Sequence, residues 1–444
     1  MLGKKEKGPI GFLVKDAIGS MDFSEQKPVN IRVEKKVRNE DKLINARKSE
    51  FQDFRDVKNS RFDNPQEIKS NINSDEYIKW FSELNNNDIK IAGGKGASLG
   101  EMFRNKFPVP PGFVVTASAY ENFIKKIKEK IHKIVSELDV ENTEELNKFS
   151  KEIRKMIEDE KITDTLKKDI LEAYHILSSE DIDRGVSGDA FNILRNSYEP
   201  IFVSVRSSAT TEDLADASFA GQQESFLNVK GDISLLEHIK KVFSSLYTPR
   251  AIYYRHKKGF SDALIAVVVQ KMIDSEKSGV VFSRDPVKND DNVAIEAVFG
   301  LGEGIVSGKI YPDNYIVSQD LKIKSIKVTN KKIAMVRTAG GNNEIVKLSD
   351  EKSKQQVMSN AEILGIADYA MKLEAHYKKP QDVEFAIEQG EIYILQSRPI
   401  TTLGNKKEFK NLKGNVVLEG LAASPGIGLN TRKRFLMVTG FWER

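Results

Sequence analysis

The chain predicts an α+β fold, and the order of its patterns carries that prediction. Amphipathic helical periods fill the stretch before Pro200, whereas short β-rich runs and Gly-rich loops dominate after it. Near the end, residues 384–398 form two alternating runs around Gln389-Gly390-Glu391, which predicts a β-hairpin.

Residues 1–75 mix charges of both signs without a sustained period, and a poorly ordered extension is expected there. A short helix carrying Tyr77, Trp80, Phe81 and Leu84 should follow, leading into a turn at Gly93-Gly94-Lys95-Gly96. After Pro108-Val109-Pro110-Pro111-Gly112 comes a strand over 113–116. The next helix shows the clearest period: Tyr120, Ile124, Ile127, Ile131, Ile134 and Leu138 alternate at spacings of three and four, behind a capping box of Ser118 and Glu121. Further helices fit 143–158, 163–178 and 187–197. Strands fit 201–205, 264–272, 279–283, 293–299 and 321–328, and one more helix fits 351–375. A polar linker at 404–407 then precedes 414–428, which has the texture of the first strand and turn of another domain.

The chain has 444 residues, 39% hydrophobic and 30% charged, with a formal net charge of +4. That length accommodates two or three domains with sizeable cores, and so small an excess of positive charge gives no reason to invoke nucleic acid. There is no cysteine, which excludes disulfides and thiolate chemistry. No apolar run approaches the ~18 residues of a membrane span, so no membrane is expected and the cytoplasm is the expected location.

The hairpin carries the most chemistry. Centred on Gly390, it sets Glu384 opposite Gln396 and Asp382 opposite Arg398, with Val383, Phe385 and Ile387 facing Tyr393, Leu395 and Ser397 on the other, apolar side. A carboxylate and an amide oxygen beside a guanidinium suit Mg²⁺ holding phosphate. A solvated face with a cross-strand ion pair fits the same pattern. Lys95 among glycines allows close approach to an anion, although the spacing is not that of a Walker A loop, and an exposed lysine on a Gly-rich turn fits equally. The segment Val203-Ser204-Val205-Arg206-Ser207-Ser208 delivers Arg206 to a long loop of small polar residues that runs through Gly221 to Ser225. A phosphate would suit that loop, as would an ion pair of Arg206 with Glu212 or Asp213. Gln270 ends a strand and serves either an adenine edge or the strand's own end. His132, His175, His238, His256 and His376 all sit in helical contexts, none with metal-ligand spacing, and are expected to be structural or surface residues.

Together these motifs resemble the nucleotide-binding domain of the pyruvate, water dikinase (phosphoenolpyruvate synthase) family. The resembling segments are Ala92-Gly93-Gly94-Lys95-Gly96-Ala97-Ser98-Leu99-Gly100-Glu101 and residues 203–213, 219–229, 299–313 and 382–401. The resemblance implies an ATP-grasp fold over residues 76–402, two α+β lobes clamping ATP and Mg²⁺. By position, Lys95 and Arg206 resemble the family's phosphate-binding Lys and Arg. Gly221 and Ser225 resemble its loop over the phosphates, where Thr is commoner than Ser225, and Gln270 its adenine-side Gln. Glu384 and Gln396 resemble the metal-binding pair, and Arg398 the adjoining phosphate contact. Residues 413–444 resemble, as far as Gly428, the entry to the family's swivelling phosphohistidine domain. The implied reaction turns ATP, pyruvate and water into AMP, phosphoenolpyruvate and phosphate. These residues alone are expected to be incomplete for it, because neither the phosphorylated histidine nor the pyruvate barrel has a counterpart among them. A homo-oligomer or a companion chain carrying those parts is left open. A related dikinase, an antibiotic phosphotransferase and a stand-alone ATP-binding module are the competing readings.

Overall fold

A computed structural model describes residues 77–179, 199–210, 224–258, 263–288, 290–306, 308, 310–338 and 340–400, and the backbone of Leu418–Ser424 and Ile427–Phe435. The extension expected over 1–75, the helix expected over 187–197 and the loop position Gly221 lie outside the described residues.

The described part is α+β. Strand β1 (Ile78–Trp80) is followed by helix α1 (Ile89–Arg104), β2 (Gly112–Val115), and helices α2 (Ala117–Ile124), α3 (Lys128–Glu137), α4 (Thr143–Asp159) and α5 (Asp164–Ser179). Then come β3 (Val203–Ala209), β4 (Ser225–Val229), α6 (Asp232–Ser244), α7 (Pro249–Lys258) and β5 (Ile265–Lys271). Five of these strands form an antiparallel sheet in the order β1-β2-β5-β3-β4.

Alternation explains how this sheet is used. Val203 and Val205 of β3 join Val267 and Val269 of β5 in a core under the helices. The intervening residues Ser204, Arg206 and Ser208 pair with Gln270, Val268 and Ala266, and so share the opposite face. Helix α1 packs on that face, since Ala92, Leu99 and Met102 share a second core with Val114, Ala266 and Val268.

The second sheet begins with β6 (Lys277–Phe282) and β7 (Val293–Phe299), a short helix α8 (Glu303–Val306), β8 (Asp313–Val317) and β9 (Ile323–Lys327). A separate hairpin of β10 (Ile333–Arg337) and β11 (Asn343–Lys347) and helices α9 (Asp350–Lys354) and α10 (Asn360–Tyr377) precede β12 (Gln381–Glu388) and β13 (Glu391–Pro399). The order is β13-β12-β6-β7-β8-β9, antiparallel throughout. Val281, Ile295, Tyr315, Val383 and Phe385 on one face join Ile363, Ile366, Ala370 and Leu373 of α10 in the same core that contains α1. Finally β14 (Leu418–Ser424) and β15 (Ile427–Phe435) pair antiparallel, extending the expected strand and turn into a hairpin.

Four local expectations change. Tyr77, Trp80, Phe81 and Leu84 have helical spacing, yet β1 is a strand because it pairs with β2, and only short 3₁₀ turns follow, at Phe81–Glu83 and Asn86–Asp88; tertiary pairing overrides the local pattern. The long helix of the Ile124 stripe is two, α2 and α3, broken at Lys125–Ile127 where the Ile127 amide bonds the Ile124 carbonyl. No glycine or proline marks that break, and the helix cap is Thr116, whose hydroxyl accepts from the Ala119 amide, rather than Ser118. The helix over 351–375 is likewise two, because Ser359 starts α10 afresh with a capping box to Glu362. Gly93-Gly94-Lys95-Gly96 lies inside α1 at a kink, with Gly93 at φ +68°.

Candidate nucleotide-phosphate and metal site

The hairpin β12–β13 places its polar residues in the expected register: Glu384 pairs with Gln396, Asp382 with Arg398 and Val383 with Ser397. Towards the turn the register slips by one residue, so that Phe385 faces Ile394 rather than Leu395, and Ile387 faces Ile392 rather than Tyr393. The cause is the turn. Gln389 and Gly390 both have positive φ, 51° and 79°, the two-residue connection that matches strand twist. A two-residue turn and the Glu384–Gln396 pair have different parity, and a β-bulge at Leu395 reconciles them.

Leu395 therefore has no residue opposite it on β12, and Arg206 uses its carbonyl. The Arg206 Nη1 donates to Leu395 O at 3.3 Å, while Nη2 donates to Gln396 Oε1 and stands 3.7 Å from Glu384 Oε2. The Arg206 side chain is 13% exposed. One guanidinium on the first sheet thus meets three acceptors on the second. Glu384 and Gln396 accordingly form a donor set that already converges on one positive charge, and a carboxylate plus an amide oxygen is the hard oxygen chemistry that fits Mg²⁺. Among the described residues no group of three or more His, Cys, Asp or Glu side chains is placed to hold a metal.

Lys95 stands just past the α1 kink, half-buried. The kink is fastened to β3: Ser208 Oγ donates to Ala92 O at 2.7 Å and accepts from Gly96 N at 3.0 Å. A Cβ on Gly93 would fall 2.1 Å from the Ser208 carbonyl oxygen, so only glycine fits there. Ser208 lies two residues beyond Arg206 on the same face of β3, which brings the Lys95 turn to the edge of the Arg206 cluster. Ser225 pairs directly with Arg206, exposed on that face.

Gln270 is buried and its amide donates to Pro110 O at 3.3 Å, so its side chain ties β5 to the proline turn. Arg398 Nε donates to Asp382 Oδ2 at 2.9 Å, whereas Asp382 Oδ1 has no partner. Burial raises the Asp382 carboxyl above its ordinary range, with Arg398 pulling the other way.

Sequence reasoning missed three participants. Ser208 was legible only as one more small residue, and the Leu395 carbonyl left no side-chain signal. Glu296 of β7 pairs with Val280, which in turn pairs with Glu384, so it shares the polar face two strands away. It is 7% exposed, its Oε2 is unpartnered, and burial, with Asp285 nearby, pushes its carboxyl up to about 7. His175 contacts Asp232, His238 the Ser234 carbonyl and His376 Glu101, while His132 and His256 are exposed.

A family model for the pyruvate phosphate dikinase AMP/ATP-binding domain matches residues 89–415. The chain belongs to the pyruvate phosphate dikinase family. Relatives of the chain include a probable phosphoenolpyruvate synthase of Archaeoglobus fulgidus, 47% identical over 361 residues, covering 79% of the chain and 46% of the relative. One from Methanocaldococcus jannaschii is 44% identical over 369 residues, covering 81% and 30%. The phosphoenolpyruvate synthase of Pyrococcus furiosus is 38% identical over 402 residues, covering 79% and 47%. The chain thus spans about half the length of two of these relatives, and less of the second. None of its described helices is long and apolar enough to cross a membrane.

Proposed function

We propose that residues 76–402 are an ATP-grasp unit of a phosphoenolpyruvate synthase, holding ATP between the two sheets. Residues 413–444 would begin the swivelling domain, and 1–75 would be an extension. The meeting of Arg206 with Glu384 and Gln396 across the sheets supports this reading, because a guanidinium on one sheet reaches a carboxylate and an amide oxygen paired on a sequence-distant hairpin of the other.

In this reading Lys95 and Arg206 bind the phosphates, the first from a kinked helix and the second from a strand. Glu384 and Gln396 would hold Mg²⁺, which neutralises phosphate charge and takes the rest of its shell from water and phosphate oxygens. Arg398, braced by Asp382, offers a further guanidinium on the same face, and Gly221 and Ser225 belong to the loop over the phosphates. Gln270, through its strand and its bond to Pro110, would shape the adenine end. The full reaction would convert ATP, pyruvate and water to AMP, phosphoenolpyruvate and phosphate through a phosphohistidine outside these residues.

Calorimetric titration of the chain with a non-hydrolysable ATP analogue, with and without Mg²⁺, tests the site. Metal-dependent binding is expected. A folded sample that binds no analogue, or binds it equally without metal, refutes the assignment.

A further inference from the structure

We infer that Arg206 makes this site selective for a divalent cation that arrives bound to a polyphosphate, and discriminates against the bare cation. The inference rests on the reading of Glu384 and Gln396 as metal ligands, and it concerns what already engages them. The guanidinium donates to Gln396 Oε1 and lies 3.7 Å from Glu384 Oε2, so both proposed ligands serve a protein cation. A third contact, to the Leu395 carbonyl, holds the guanidinium in place independently of those two side chains.

A divalent ion and a guanidinium cannot share these oxygens cheaply, since like charges in a partly buried site repel. A bare cation must therefore displace Arg206. Of its contacts among the described residues the displaced side chain keeps at most the Leu395 carbonyl, and at 13% exposure it has little water to replace the lost acceptors. An almost buried charge stripped of its partners is strongly unfavourable. A cation carrying a polyphosphate removes that penalty, because phosphate oxygens offer the guanidinium a charge-assisted, bidentate alternative. The exchange moves Arg206 from carboxylate and amide to phosphate while the metal takes the vacated oxygens. Linkage then demands reciprocity: the polyphosphate tightens metal binding by the factor by which metal tightens polyphosphate.

The bulge gives this exchange its geometry. In an unbulged ladder the Leu395 carbonyl would follow the alternating pattern of the strand pair. The slipped register instead frees it for the first sheet, and one nitrogen can stay on it while the other changes partner.

Electron paramagnetic resonance of free Mn²⁺ measures metal affinity directly, without turnover. For the unmodified chain, inorganic tripolyphosphate should raise Mn²⁺ affinity at least tenfold beyond what tripolyphosphate itself binds. In Arg206→Met the Mn²⁺ affinity without tripolyphosphate should rise at least tenfold and the coupling should shrink. Arg206→Gln serves as the second variant, and thermal unfolding checks that each folds. Unchanged or weaker Mn²⁺ binding in both folded variants overturns the inference. Should neither variant fold, a coupling below threefold in the unmodified chain overturns it. Binding of the Mn²⁺–ATP-analogue complex by the unmodified chain separates the two readings. If that complex binds and the coupling is absent, the selectivity fails while the site stands; if it does not bind, both fail.

Discussion

Asp313 and Lys331 form an ion pair in which neither side chain has any solvent exposure. Asp313 is saturated: one oxygen also accepts from Thr329 N at 2.8 Å, and the other from Val357 N at 2.9 Å and Tyr315 Oη at 3.2 Å. Lys331 in turn lies 5.7 Å from the centre of the Phe299 ring and bonds the Thr329 carbonyl. The pair therefore fastens β8 to the segments before β10 and α10. Lys331→Met should cost roughly 3–5 kcal/mol, because it leaves a buried carboxylate uncompensated. Chemical denaturation of the variant checks this, and an unchanged midpoint would count against a structural role for the pair.

Glu384 and Phe385 are neighbours on opposite faces of β12, and should fail differently. Glu384→Ala should abolish most metal-dependent ATP binding with little change in stability, since the side chain is partly exposed. Phe385, 1% exposed in the second core, should cost about 3–5 kcal/mol when cut to Ala. Calorimetry and denaturation of both variants separate the two losses.

Glu296 predicts an unusual pH dependence. Burial pushes its folded carboxyl up to about 7 from an ordinary 4.5, so the folded state holds the proton more tightly than the unfolded chain. Its contribution to stability is complete below about 4.5 and is lost as the pH rises towards 7. Glu296→Gln removes a penalty of up to about 3 kcal/mol at pH 8. The variant should unfold at higher denaturant concentration than the parent at pH 8, with the gap closing by pH 5. A gap that widens on acidification would refute the sign.

Gly93→Ala should strain the α1 kink at φ +68° and drive a methyl into the Ser208 carbonyl. A loss of about 1–3 kcal/mol is expected from the backbone conformation alone. The Lys95 turn would shift, so weaker binding of the ATP analogue should accompany a lower melting temperature.

Much of this fold was legible because burial and period agree. Val293–Phe299, apolar but for Glu296, and the Ile265–Val269 part of β5 lie in central strands, and α4 and α5 repeat their apolar residues at helical spacing. The site pairs were legible because strand alternation fixes which side chains face one another, which is why Glu384 and Gln396 could be matched from numbering. The slip at Leu395 was not, since a bulge is decided by turn geometry and by backbone groups that look alike in every residue. The break between α2 and α3 escaped for a related reason: Ile124, Ile127 and Ile131 keep one apolar stripe across it, and no breaker residue announces the turn. Glu296 reads as one charge within an apolar strand, and only the sheet order shows what lies beside it.

The parity of the β12–β13 connection also limits how this hairpin can change length. Because the bulge absorbs one residue, deleting a single codon between Gly390 and Leu395 lets the strands pair without it. Such a deletion would withdraw the Leu395 carbonyl from Arg206 while leaving the turn and the Glu384 strand formally intact. Removing a residue from the tip instead would replace the two-residue turn and leave the bulge alone. Two deletions of equal size, a few positions apart, would thus be read by the protein as different kinds of lesion, one in its binding site and one in its surface.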